Sequence, residues 1–299
     1  MRREEFERLA SGRVLLLDGA TGSELRKRGM PVGVSTELWA LEHPGVILEL
    51  QRAYVDAGSD IIYAPTFSAN RMGLEMHGIA DRLHEINAGL VKLSKQAANG
   101  RALVAGDITT TGKPLEPVGT LSYQALYDVY REQAAILAEA GADLLVAETM
   151  LSVDETVCAV EAARSVCDLP IMCSLTMEAD GHLLFGGTAT EAVETLQAVG
   201  ADAVGLNCSV GPDQLESVVA SMKAVAQVPV IAKPNAGLPV IDEQGHAHYS
   251  MDPDTFARAM TRLIQAGATL VGGCCGTDPE YIRRLREKRE QGAGNREQE

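Results

Sequence analysis

The stretch EAGADLLVAE, Glu139–Glu148, holds the reading of the fold in ten residues. A helical pattern closes on Ala-Gly, where glycine supplies a left-handed cap, and an apolar run then ends abruptly on a carboxylate. The run LLVA has no polar alternation, so both faces of the strand are covered, as in a parallel sheet. The same device recurs in DAGSD (Asp56–Asp60), AVGAD (Ala198–Asp202) and QAGAT (Gln265–Thr269), and as Asn99-Gly100. Working outward from these caps, eight strands are expected at 13–18, 60–65, 102–107, 143–148, 170–175, 202–208, 229–234 and 269–275, each followed by a helical stretch. Eight such units in one chain predict a single-domain α/β fold, the (β/α)₈ TIM barrel, over residues 13–290. Residues 1–12 read as an N-terminal helical extension and 291–299 as a disordered tail.

Bulk properties narrow the function. The chain has 299 residues and a formal charge of −15, from 26 basic and 41 acidic side chains. That charge repels nucleic acid and anionic membrane. The basic cluster RRLREKRE, Arg283–Glu290, is interleaved with acid and reads as a solvated helix face. No stretch approaches the ~18 apolar residues of a membrane helix, and the first residues lack the apolar core of a signal peptide, so a cytoplasmic protein is expected. Six cysteines are too few for a disulfide scaffold of this size. Cys158, Cys167 and Cys173 read as small hydrophobes.

The other three cysteines stand differently. GLNCSV (Gly205–Val210) and VGGCCGT (Val271–Thr277) each end an apolar run in cysteine and turn on glycine. In a barrel, chemistry sits at the C-terminal ends of the strands. Those ends carry Asp18, Thr66, Asp107, Glu148, Ser174 to Thr176, Asn207, Cys208, Lys233 to Asn235, Cys274 and Cys275. Alternate strands share a layer, so Glu148, Cys208, Cys274 and Cys275 are expected to converge. Three thiolates at about 2.3 Å fill three corners of a zinc tetrahedron and leave the fourth to an outside ligand, as in catalytic sites. Buried packing cysteines, or a closed structural zinc site with a fourth protein ligand, remain alternatives. The six histidines (43, 77, 84, 182, 246 and 248) fall in expected loops or helices and read as surface or structural residues.

Taken together, GLNCSVGP, GGCCGT, LLLDGATGSEL (Leu15–Leu25) and KPNAG (Lys233–Gly237) resemble the homocysteine S-methyltransferase family, from about Val14 to Arg284. Within it, TFSANRMGLEMHG (Thr66–Gly78) and GDITTTGKPLEPVG (Gly106–Gly119) look closest to the homocysteine module of cobalamin-dependent methionine synthase. The resemblance implies a zinc ion on Cys208, Cys274 and Cys275, with the homocysteine sulfur in the fourth place. It also implies that Glu148 meets the substrate ammonium and that the loop Asp18, Gly19, Ala20, Thr21 receives the amino-acid end. The glycines of this loop permit a concave backbone nest for the carboxylate. Asn235, at the end of strand seven, is a further candidate: its side-chain oxygen would hold the fourth zinc position until the substrate thiol displaces it, or else it caps the loop.

With one barrel in the sequence, the methyl donor is expected to be a separate corrinoid protein or a small methyl-onium compound, and the loop segments' resemblance to the methionine synthase branch implies a methylated corrinoid protein acting in trans. S-methylmethionine and betaine are the alternatives, and aromatics at 4% supply a betaine cage thinly. Two other classes compete: a zinc-stabilised binding module, and a thiol redox protein. An open zinc position argues against the first. Against the second, adjacent cysteines form only a strained disulfide ring and no C-x-x-C is present.

Overall fold

The computed structural model describes residues 1–242 and 247–296. Eight parallel strands form one sheet: β1 (Leu15–Leu16), β2 (Ile61–Tyr63), β3 (Leu103–Thr109), β4 (Leu144–Met150), β5 (Ile171–Leu175), β6 (Ala203–Cys208), β7 (Val230–Pro234) and β8 (Ala268–Val271). Their order, β1-β8-β7-β6-β5-β4-β3-β2, is that of a barrel cut at the β1–β2 seam. Two aspartates stitch the seam. The Asp60 N–H donates to Leu16 O at 2.7 Å, and its carboxylate accepts from Leu16 N–H at 2.8 Å. The Asp18 carboxylate accepts from Tyr63 N–H at 2.7 Å. Side chains thus stand in for ladder bonds that the short β1 cannot make itself.

Helices alternate with the strands, and the turns entering β2, β3, β4, β6 and β8 carry Gly58, Gly100, Gly141, Gly200 and Gly267 at positive φ. These are the glycines that marked the repeat in the sequence. The strands are buried almost throughout, in keeping with a parallel sheet covered on both faces. Cys158 and Cys173 are buried and Cys167 half-buried, all three free.

The barrel's two ends differ. At the N-terminal end the helix Arg3–Gly12 lays Phe6 and Ala10 onto the inner residues Leu15, Leu17, Ile61, Ala105, Leu144 and Leu270. Arg3 fixes it there through Asp202 at 2.7 Å. At the C-terminal end, a hairpin of Pro239–Ile241 with Ala247–Tyr249 follows β7. Strand periodicity did not pick this hairpin out; it places His248 in a strand, while His246 lies outside the described residues. The closing helix runs from Pro279 to Arg296, beyond residue 290 and into the stretch expected to be a tail, while 297–299 lie outside the described residues. Among the described residues no helix is long and apolar enough to cross a membrane.

Candidate active site

A cavity of about 410 Å³ opens at the C-terminal ends of the strands. One wall is sulfur. Cys208 ends β6, and Cys274 and Cys275 sit in the turn after β8, their three sulfurs all within 4.8 Å of one another. That turn is pinned on three sides: Gly273 N–H to Asp18 O at 3.1 Å, Cys274 N–H to Pro234 O at 2.8 Å, and Ala236 N–H to Cys275 O at 3.0 Å. Gly276 (φ +83°) has no room for a side chain, since a Cβ would lie 2.3 Å from the Tyr249 ring. The hairpin thereby brings the Tyr249 ring onto the turn that carries Cys275.

The opposite wall is carboxylate. Asp18, Asp107 and Glu148 are each at most 8% exposed, and the one cation among them is Lys233, 3.4 Å from Asp18 Oδ1 and 4.9 Å from the centre of the Tyr63 ring. Burial pushes Asp107 well above the usual carboxyl range, with Glu148 adding to it. Burial also raises Glu148 to about 7, although Lys233 opposes it. Asp18 is raised by burial against the same lysine. For Lys233, burial works downward and is outweighed by Asp18 and Glu148, so it stays charged. Asp18 Oδ1, Asp107 Oδ1, Glu148 Oε2 and Tyr63 Oη have no hydrogen-bond partner. Three carboxyls against one ammonium leave a deficit of positive charge, which a proton shared by Asp107 and Glu148, or a ligand's ammonium, fills.

The loop Asp18–Thr21 lines the same cavity. Its Ala20 N–H is already taken by Thr277 Oγ1 at 3.2 Å, and Thr277 in turn donates to Cys274 O at 2.7 Å. Thr277 therefore fastens the loop to the cysteine turn. Gly19 is small because Tyr54 and Thr277 crowd it, a Cβ there meeting Tyr54 Oη at 2.7 Å.

The sulfurs test whether a metal fits. The three sulfurs lie within 4.8 Å of one another, so each thiolate charge opposes the ionisation of the others. Full ionisation of all three requires a cation between them, and zinc is the cation suited to such a soft donor set. Asn235 lies beside this wall but is not among the residues lining the cavity. Its Nδ2 donates to Ser209 O at 3.0 Å, while its buried Oδ1 has no partner.

Of the residues singled out in the sequence, the cavity brings together Asp18, Gly19, Ala20, Thr21, Glu148, Cys208, Cys274 and Cys275. Asp107 and Lys233 were visible as polar strand ends, but their pairing was not. Tyr63, Phe67, Thr149 and Tyr249 gave no signal. The site is thus a (β/α)₈ barrel whose C-terminal cavity sets a three-thiol cluster against buried carboxyls. The chain belongs to the homocysteine S-methyltransferase family, whose model it matches over residues 15–289. It is 30% identical over 291 residues to methionine synthase of Mycobacterium leprae, covering 91% of this chain and 24% of that protein, and the Mycobacterium tuberculosis methionine synthase matches alike. The chain thus spans about a quarter of the length of these relatives. Among solved structures, the oxidized form of the homocysteine methyltransferase MmuM from Escherichia coli superposes with a TM-score of 0.78 at 25% identity, covering 92% of this chain and 96% of that one. The metallated form of MmuM superposes at 0.79 with 24% identity, over 94% and 98% of the two chains.

Proposed function

We propose that this protein transfers a methyl group to the thiolate of homocysteine, giving methionine. The observation that carries the reading is that a three-sulfur cluster and a set of under-neutralised carboxyls open into one cavity: an amino-acid thiol has a sulfur for the first and an ammonium for the second. Cys208, Cys274 and Cys275 hold zinc, a role in keeping with the metallated relative. Bound there, zinc supplies a Lewis acid that lets a fourth thiol lose its proton at neutral pH. Glu148, with Asp18 and Asp107 behind it, receives the ammonium, and the loop Gly19 to Thr21 lies where the carboxylate would rest. The substrate sulfur then attacks the methyl carbon, an S–C bond forms, and the bonding pair of the departing donor stays with the donor. Asn235, whose buried Oδ1 has no partner, would hold the remaining position of such a metal before substrate arrives.

For the donor we favour a methylated corrinoid protein acting in trans, in keeping with the likeness to the mycobacterial methionine synthases, and we place the reaction in the cytoplasm. S-methylmethionine is the second reading, supported by the free-standing barrel of MmuM, which matches this chain nearly end to end. A betaine cage is less well supplied, with Tyr63 and Phe67 the aromatic residues lining the cavity. The test is a donor screen that measures methionine from homocysteine with methylcobalamin on a corrinoid protein, S-methylmethionine and betaine. Methionine from the corrinoid donor is expected. Methionine from S-methylmethionine alone would replace that donor assignment, and none from any donor would overturn the function.

A further inference from the structure

Asn207 precedes Cys208 in β6 and is 1% exposed. Its side chain crosses to two other parts of the site. Oδ1 accepts the Thr149 N–H at 2.8 Å, and Nδ2 donates to Thr149 Oγ1 at 2.7 Å while also facing Cys274 Sγ at 3.8 Å. The orientation of the amide follows from its partners: a backbone N–H can only donate, so the oxygen must face Thr149 N, and the nitrogen then faces the sulfur. Its two amide protons and its oxygen are thereby all engaged.

The backbone around this amide is unusual. Thr149, directly after Glu148, has φ +57°, a conformation that β-branched residues avoid. Cys208 (φ +64°) and Ser209 (φ +62°) are left-handed too, and among the described residues the fourth such non-glycine residue, Asn99, ends a helix. Three departures from ordinary backbone therefore gather around one buried side chain, and strain of this kind persists only where the surroundings hold it.

We infer that Asn207 is a positioning residue that ties the carboxylate wall to the sulfur wall. Gripping Thr149 at both its N–H and its hydroxyl fixes the end of β4, and with it Glu148. Donating N–H to Cys274 stabilises that sulfur as a thiolate and orients it. One amide then sets the spacing between the group that takes an ammonium and a group that holds the metal. The inference rests on the metal role proposed for Cys274, so its test is read with metal alone.

The test uses the full chain loaded with Co(II), without homocysteine, and compares it with Asn207→Asp. Aspartate keeps the size and an acceptor for Thr149 N–H, but turns an oxygen rather than an N–H toward Cys274. We expect Co(II) affinity to fall about 10- to 100-fold, and the thiolate-to-cobalt charge-transfer band to move to lower energy because the sulfur loses its hydrogen-bond donor. A merely structural role would not move that band. If Asn207→Asp does not fold, Asn207→Ala is read the same way in a Thr149→Gly background, where glycine adopts the left-handed turn unaided. Normal Co(II) binding by the unsubstituted protein with unchanged affinity and an unshifted band in the variant would overturn the inference and leave the metal site standing. Failure of the unsubstituted protein to bind Co(II) would overturn the metal reading and this inference with it.

Discussion

The two ends of the barrel are made from the same eight strands and obey opposite rules. At the N-terminal end, Phe6 and Ala10 of the first helix close the interior with apolar contacts, and the ion pairs lie outside them. At the C-terminal end, buried oxygens of Tyr63, Asp107 and Glu148 lack a hydrogen-bond partner, Asp18 Oδ1 has only the ion pair to Lys233, and three thiols share the same cavity. The closed end holds the strands in register. The open end leaves polar groups unpaired, an arrangement that costs stability and makes sense where a ligand completes it.

If this division is right, damage at each end should have its own signature. The largest effect is expected from Cys208→Ala, which removes one of three sulfurs. Metal affinity should fall by more than the about 10- to 100-fold that loss of a supporting contact costs, and methyl transfer should disappear, with circular dichroism unchanged. Full metal retention would remove Cys208 from the site. At the other end, Phe6→Ala deletes a fully buried ring and should destabilise the fold by about 3–5 kcal/mol, read from denaturant midpoints, while leaving metal affinity alone. A change in metal affinity there would blur the distinction between the two ends.

A smaller effect isolates the carboxylate wall. Glu148→Ala should retain metal but lose a charge-assisted hydrogen bond of about 1.5–3 kcal/mol, weakening homocysteine on the order of 10- to 100-fold by calorimetry. A simple thiol without the amino-acid end should scarcely notice. Equal losses for both ligands would mean that Glu148 supports the fold or the metal instead.

The smallest effect is in pH. Burial raises Glu148 to about 7 in the folded protein, above its ordinary value of 4.5. Its contribution to stability is therefore fully present below pH 4.5 and is lost as pH rises through about 7. Glutamine carries no such penalty. In metal-free protein, the midpoint of Glu148→Gln relative to the unsubstituted chain should rise between pH 5 and 8, and a flat difference would show that Glu148 ionises freely in the fold.

The barrel was legible in the sequence because glycine caps and apolar runs are local features, whereas residues 1–12 read only as a helical extension and not as the plug that Phe6 and Ala10 make. Strand limits erred where pairing is not local: 13–18 shrank to Leu15–Leu16, since the carboxylates of Asp18 and Asp60 carry part of the seam. The expected strand 269–275 ends at Val271, and the two cysteines belong to the turn beyond it. At the open end, the thiols were legible because three cysteines at strand ends have few other uses. The carboxyl cluster was half legible, Asp107 and Lys233 being visible as strand ends but not as partners of Glu148 and Asp18. Tyr249 and the Asn207–Thr149 bridge were not legible, because each depends on a contact between segments that no periodicity relates.

The central claim is that the open end receives homocysteine by its sulfur as well as by its ammonium. X-ray absorption at the zinc edge of the loaded protein measures this directly. Three sulfurs and one lighter atom around zinc should become four sulfurs when homocysteine is added. A first shell that keeps its lighter atom at saturating homocysteine would contradict the account.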